Sequence, residues 1–173
     1  EEALDLRGRF GLSKQHFGLL YQGMMNTGRA LDKMILAQQF THPDIRFILI
    51  GDGSFRKKIE AMSKELKLEE KVFFAGRIHP DLLLKYTQGA DAGIILQETN
   101  KNLSKKLGIA NKFFEYIHSG IPFVATSAPE NHIVADKYPV CVFVSEEHDV
   151  KEIAEAINRL REKPIPQFKE HAE

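Results

Sequence analysis

Six short apolar runs punctuate this chain, and each is followed by a stretch with the spacing of a helix. The runs are "FGLLYQG" (residues 17–23), "IRFILIGDG" (45–53), "KVFFAG" (71–76), "DAGIILQ" (91–97), "PFVATS" (122–127) and "VCVFV" (140–144). Between them, "GRALDKMILAQQF" sets Leu31, Met34, Ile35 and Gln38 at helical spacing. In "SFRKKIEAMSKELKL", Phe55, Ile59, Met62 and Leu66 share one face, with Ser54 as the expected N-cap. "PDLLLKYTQG" carries Pro80 near its start, a helix covers residues 111–119, and another follows Pro129. "DVKEIAEAINRLREK" is the last helix, ended by Pro164 and Pro166. Strands separated by helices pair in parallel through crossovers. Near-continuous apolar runs such as "FILI" and "GIIL" suit a sheet covered on both faces. The expected fold is therefore α/β: a doubly wound, mainly parallel, Rossmann-like sheet of about six strands.

A chain of 173 residues has room for one such unit. Residues 1–12 read as a connector or short helix, 13–163 as the Rossmann-like domain and 164–173 as a tail. A polar stretch, residues 98–106, reads as a loop. The chain begins with Glu1 rather than Met, as a piece of a longer protein would.

Lys plus Arg and Asp plus Glu both number 24, so the net charge is zero. No basic tract stands out, which argues against a nucleic acid partner. The lone Cys141 lies inside an apolar run and reads as a core residue, in keeping with a reducing, cytoplasmic compartment. No apolar run reaches the ~18–20 residues that span a bilayer, and no signal peptide is visible. The seven histidines (His16, His42, His79, His118, His132, His148, His171) show no metal-ligand spacing, so no metal is expected. No Gly-x-Ser-x-Gly elbow and no Walker lysine appears.

A doubly wound sheet binds ligands beyond the carboxyl ends of its strands, where the strand order reverses. The loops of interest are those after Gly23, Ile50, Ala75, Gln97 and Ala125. In "GMMNTGRALD", Gly23, Gly28 and Ala30 let a ligand approach the backbone, and Arg29 at the start of the next helix makes an anion site. A simple turn with a solvated arginine satisfies the same residues. "GDGSFR", with Gly51 and Gly53, is half of a phosphate-binding fingerprint, yet a tight turn capped by Ser54 explains it equally well.

The stretch "ANKFFEYIHSG" poses a sharper question. At 3.6 residues per turn, Phe113, Phe114 and Ile117 gather on one side, expected to face the sheet. Asn111, Glu115, His118 and Ser119 gather on the other, with Lys112 at the border. The N–H groups of residues 111–113 and the Lys112 ammonium suit an anion, and Glu115 can accept two hydrogen bonds from a vicinal diol such as a ribose. A solvated helix face and a nucleotide grip both fit this geometry.

Taken in order, "LLYQGMMNTGRALDKMILA", "FILIGDGSFRKKIEAM", "VFFAGRIHPDLLLKYTQGADAGIIL" and "ANKFFEYIHSGIPFVAT" resemble the C-terminal domain of family-4 retaining glycosyltransferases, over about residues 12–161. Such enzymes consist of two facing Rossmann-like domains. In the family's first loop a glycine precedes an arginine and a lysine that hold the donor's diphosphate. Gly23 matches the glycine, Met24 stands at the arginine and Arg29 at the lysine. Of the family's two glutamates, Glu115 matches the second, which holds the ribose, and Leu107 stands at the first. The sugar contact of that first glutamate would fall to Glu98 or to the backbone around Gly108. A family variant, "P-N-K-x-x-E-Y", matches Asn111 to Tyr116, with Ala110 in place of the proline. Gly76, Arg77 and Ile78 would frame the base.

The resemblance implies transfer of a sugar from a nucleoside diphosphate, UDP or GDP, to a glycan, lipid or other acceptor, with retention of configuration. Arg29 and Lys112 would act in catalysis. Gly23, Gly53, Arg77, Ile78, Gly108, Asn111 and Glu115 would bind the nucleotide, and no cofactor would be needed. It further implies an N-terminal acceptor domain outside this chain, through which the enzyme could associate with the inner face of a membrane. Alone, the chain would bind nucleotide weakly and catalyse little. Two other readings keep the fold: a non-catalytic nucleotide-binding or protein-interaction module, and half of a sugar-nucleotide epimerase.

Overall fold

The computed structural model describes residues 5–98 and 111–165. All six expected strands form: β1 (Phe17–Gln22), β2 (Ile45–Ile50), β3 (Val72–Gly76), β4 (Ala92–Ile95), β5 (Phe123–Thr126) and β6 (Cys141–Val144). They make one parallel sheet in the order β3-β2-β1-β4-β5-β6. The helices are α1 (Leu6–Arg9), α2 (Leu31–Ala37), α3 (Arg56–Glu65), α4 (Pro80–Gln88), α5 (Asn111–His118), α6 (Pro129–Lys137) and α7 (Val150–Glu162). The order reverses between β1 and β4, where a Rossmann-like sheet opens its ligand crevice.

Strand side chains alternate between two apolar layers. Leu19, Tyr21, Phe47, Leu49, Ala92, Ile94 and Val124 point to the layer of α2, α3 and α7. Leu20, Ile48, Ile50, Ile95, Phe123 and Ala125 point to the layer of α1, α4, α5 and α6. The segment expected as a connector contains the helical turn α1, whose Leu6 is fully buried in the second layer. Arg7 pairs with Asp91 at 2.8 Å, and the same Asp91 oxygen accepts the Gly18 N–H at 2.7 Å, tying α1 to the foot of β1. Cys141 is half-buried in β6 and its thiol pKa is raised by burial, which suits a core residue.

Three local expectations need correction. Ser54 does not cap α3. Its N–H and hydroxyl both donate to Asn26 Oδ1 (3.2 and 3.3 Å), and the helix starts after Phe55 with no side-chain cap. Arg29 precedes rather than opens α2, because Ala30 at the N-cap is in the left-handed region (φ 49°). The inner face of α5 is Phe113 and Tyr116, both buried, whereas Phe114 is 49% exposed.

Tyr116 explains why α5 turns that way. β1 and β4 share only the register pairs Leu19↔Ala92 and Leu20↔Gly93 before they part. The Tyr116 hydroxyl lies 3.0 Å from the Leu20 carbonyl and 3.3 Å from the Ile94 carbonyl, so one phenol proton serves both strands at the point of divergence. The ring takes the space that a side chain at position 93 would need: a Cβ there would sit 2.7 Å from it. Burial raises the phenol's pKa. Tyr116→Phe removes this proton from a buried pair of acceptors and is expected to cost about 1–3 kcal/mol, read as a lower urea midpoint at unchanged m-value. An unchanged midpoint would mean that the seam does not depend on the phenol.

Candidate functional site

A cavity of about 870 Å³ opens at the strand-order reversal. One wall is the loop after β1, another is the ends of β2 and β3, and the third is β4 with the start of α5. Six of the residues singled out in the sequence, Gly23, Arg29, Arg77, Ile78, Asn111 and Lys112, line it together. Gly53 does not. Gly108, with Leu107, lies outside the described residues.

The first wall is set by backbone. Gly23 N donates to Ile50 O (3.0 Å), Met25 N to Asp52 O (2.9 Å) and Phe55 N to Met25 O (2.8 Å), zipping the loops after β1 and β2 together. Glycine is required for this contact: a Cβ at Gly51 would fall 1.9 Å from the Gly23 carbonyl oxygen, and one at Gly53 would fall 2.4 Å from that of Met25. The "GDGS" glycines thus serve loop packing, and Gly53 has a structural role that needs no ligand.

The charges converge. Among the described residues, Arg29, Arg77 and Lys112 line the cavity against one carboxylate, Asp52. Arg77 is highly exposed and lies 4.0 Å from Asp52. Arg29 is half-buried and makes no hydrogen bond or ion pair among the described residues. It acts on Tyr21, whose pKa burial pushes up to about 12 against the opposing pull of the Arg29 charge. Tyr21 donates to the Met24 carbonyl at 2.8 Å, which holds the loop while the Met24 side chain stands 61% exposed at the mouth. α5 brings its first-turn N–H groups to the same rim through Asn111. Such a site favours an anion.

Glu115 does not line this cavity. It borders a neighbouring groove of about 500 Å³ between α4 and α5. It is nonetheless joined to the cavity. Lys112 Nζ donates to both of its oxygens at 2.8 Å, and Gln22 Nε2 donates to Oε2 at 2.6 Å. Gln22 lines cavity and groove alike. Sequence reasoning passed over Gln22. Its signal is an amide ending an apolar strand, in the alternation that points to α4 and α5 rather than α2.

Known proteins share the family and the fold. The family model described as "Glycosyl transferases group 1" matches residues 17–163. The chain belongs to that family. An alpha-monoglucosyldiacylglycerol synthase of Streptococcus pneumoniae is 23% identical over 154 residues, 87% of this chain and 33% of that protein. Among solved structures, Anabaena HepE in complex with UDP-glucose superposes with a TM-score of 0.75 at 20% identity, covering 91% of this chain and 42% of that one. Sucrose-phosphate synthase from Thermosynechococcus elongatus gives 0.76 at 20% identity, covering 92% and 40%. The chain therefore spans a third to two fifths of the length of these proteins. Among the described residues, no helix is long and apolar enough to cross a membrane, and no cluster suited to a metal ion occurs.

In this group 1 domain the β4 end of the cavity is braced from below. Gln97 N, at the rim, donates to Thr126 Oγ1 (2.9 Å), which pairs with His148 Nε2 (2.8 Å). His148 is 1% exposed, and its backbone is in the left-handed region (φ 52°). Burial, with a smaller contribution from Lys33, lowers its pKa below the ordinary 6.5, although Glu98, Glu152 and Glu146 pull the other way. The folded state thus prefers the neutral ring. That preference is without cost above the unfolded value of 6.5, and stability is lost as pH falls through 6.5 toward the lower folded value. The urea midpoint should drop between about pH 7.5 and about pH 5.5, and drop less in His148→Asn, which tolerates the left-handed backbone. Parallel pH profiles for the two proteins would remove His148 from the brace.

Proposed function

We propose that the cavity holds the donor of a glycosyl transfer, a nucleoside-diphosphate sugar, and that this chain is the donor-binding domain of a retaining glycosyltransferase. One observation carries the reading: Arg29, which has no ion pair among the described residues, and the start of α5, with Lys112, line one crevice at the strand-order reversal. Family membership and the fold shared with a UDP-glucose complex support it.

The physical task in such a transfer is to stabilise charge on the departing diphosphate. Arg29 offers a planar fork of donors to phosphate oxygens. Lys112 and the first-turn N–H groups of α5 approach from the other side. Glu115 would accept hydrogen bonds from the ribose, with the base beside Arg77 and Ile78. These groups orient the leaving group, and the acceptor would be held by a second domain facing this one. Transfer itself would then need more than this chain.

A second reading keeps the nucleotide and drops the transfer. Met24 favours it, since an exposed thioether stands at the mouth where the resemblance has a cation. Calorimetric titration with UDP and GDP tests the shared part. Arg29→Ala and Glu115→Ala should each weaken binding by about tenfold or more, as loss of a charge-assisted hydrogen bond does. In the complete enzyme Arg29→Ala should cut turnover by on the order of a hundredfold. Undiminished affinity in both variants would return Arg29 and Glu115 to the surface. Tight binding with no turnover in the complete protein would leave the non-catalytic module.

A further inference from the structure

Gln22 is 2% exposed and closes an otherwise apolar strand, so its amide is buried at a cost unless each polar atom is paired. Both are. Nε2 donates to Glu115 Oε2 at 2.6 Å, and Oε1 faces the Thr87 hydroxyl at 2.7 Å. Thr87, on α4, is 1% exposed, and its hydroxyl also lies 2.8 Å from the Leu83 carbonyl. The orientation of the amide is unambiguous, because an ionised carboxylate only accepts and the nitrogen must face it. A continuous relay therefore runs from α4 through the end of β1 to the carboxylate on α5.

The acceptor capacity of Glu115 gives this relay a task. A carboxylate has about four lone-pair sites on its two oxygens. Among the described residues, Lys112 occupies one on each oxygen and Gln22 a second on Oε2, so one site, on Oε1, stays open. A vicinal diol donates two hydrogen bonds and needs two sites. Lys112, meanwhile, lines the cavity, and its stem passes Gly23, where a Cβ would come within 3.7 Å of Lys112 Cε. Two of the three ammonium donors are spent on Glu115, so turning the ammonium fully onto a diphosphate would give up part of that hold. Once it does, Gln22 is the remaining tether among the described residues.

We infer that Gln22, backed by Thr87, is a positioning residue that keeps the Glu115 carboxylate in place while Lys112 passes from it to the donor's diphosphate and the pentose hydroxyls take the vacated oxygen sites. This rests on the donor-site reading above and adds an exchange of partners to it. No covalent bond changes; one ion pair is traded for another, and two hydroxyl protons replace the ammonium on the carboxylate. The relay thereby sets how strongly the site prefers a ribose to a deoxyribose.

The test is calorimetric titration of the 173-residue chain with UDP, GDP and ADP, followed by the best-bound nucleotide against its 2′-deoxy form. The titrations use the unaltered chain, Gln22→Leu and Thr87→Val, with melting temperatures recorded for each. The unaltered chain should favour the ribonucleotide by roughly tenfold, the scale of one charge-assisted hydrogen bond. Gln22→Leu should weaken the ribonucleotide by about that factor, leave the deoxy form nearly unchanged and so erase the preference. Thr87→Val, which keeps the side-chain volume, should move in the same direction by less. A folded Gln22→Leu chain with its preference intact overturns the relay. Should Gln22→Leu fail to fold, full preference in Thr87→Val does so instead. An unaltered chain that binds none of the three nucleotides overturns the donor-site reading itself, a result distinct from a preference that merely survives substitution.

Discussion

Everything at the site depends on the seam between β1 and β4. Two parallel strands that send their connections in opposite directions cannot stay paired to their ends, and here they hold only two residue pairs. Beyond that point strand carbonyls would face an empty wedge, which is costly inside a protein. Tyr116 fills the wedge with its ring and answers both carbonyls with one hydroxyl. Because the ring must enter over Gly93, the rotation of α5 about its axis is set. That rotation leaves Asn111 and Lys112 on the cavity and Glu115 one turn further along, against Gln22. The chemistry of the crevice thus follows from how the sheet closes a backbone deficit.

The same geometry bears on the proposed exchange of partners. Lys112 and Glu115 are 26% and 38% exposed, so water screens their ion pair and its net worth is small, on the order of 0–1 kcal/mol. A pair this weak can be opened by an incoming diphosphate without large expense. The Gln22–Thr87 link differs in kind: both side chains are buried, and breaking it strands polar atoms away from water. One carboxylate is consequently held by a loose tether on the cavity side and a firm one on the core side. Such a division lets the site hold its shape while its electrostatics adjust.

The sheet was legible in the sequence because its four inner strands are covered on both faces, which writes a continuous apolar run bounded by glycine or polar residues. Arg29, Lys112 and Asn111 were legible as neighbours because the fold class dictates that successive loops meet at one sheet edge. What escaped depended on partners distant in the chain. Ser54 has the chemistry of a helix cap, but Asn26 from the preceding crossover claims it. Phe114 has the character of a core residue, but the seam selects Tyr116, whose hydroxyl is worth more there than another apolar ring. Gln22 looked like the end of a strand, and nothing local to "YQG" reveals that Thr87 and Glu115 await it from two other helices.

Met24 gives the cavity its asymmetry. The wall built from the loops after β1 and β2 is rigid because backbone bonds backbone, and glycines at 51 and 53 are needed for that approach. Among the described residues, its charged groups on the cavity are Arg29 and Asp52. A single guanidinium is a better substitute for a pair of cations than a single ammonium would be. Its planar fork can engage two phosphate oxygens at once, and it stays protonated at any physiological pH. On the donor-site reading, an arginine where the resemblance has lysine and a methionine where it has arginine would concentrate the donors onto one side chain. On that reading the requirement is positional: the fork must be aimed, and the turn from Gly23 to Ala30, locked to the loop after β2, would aim it.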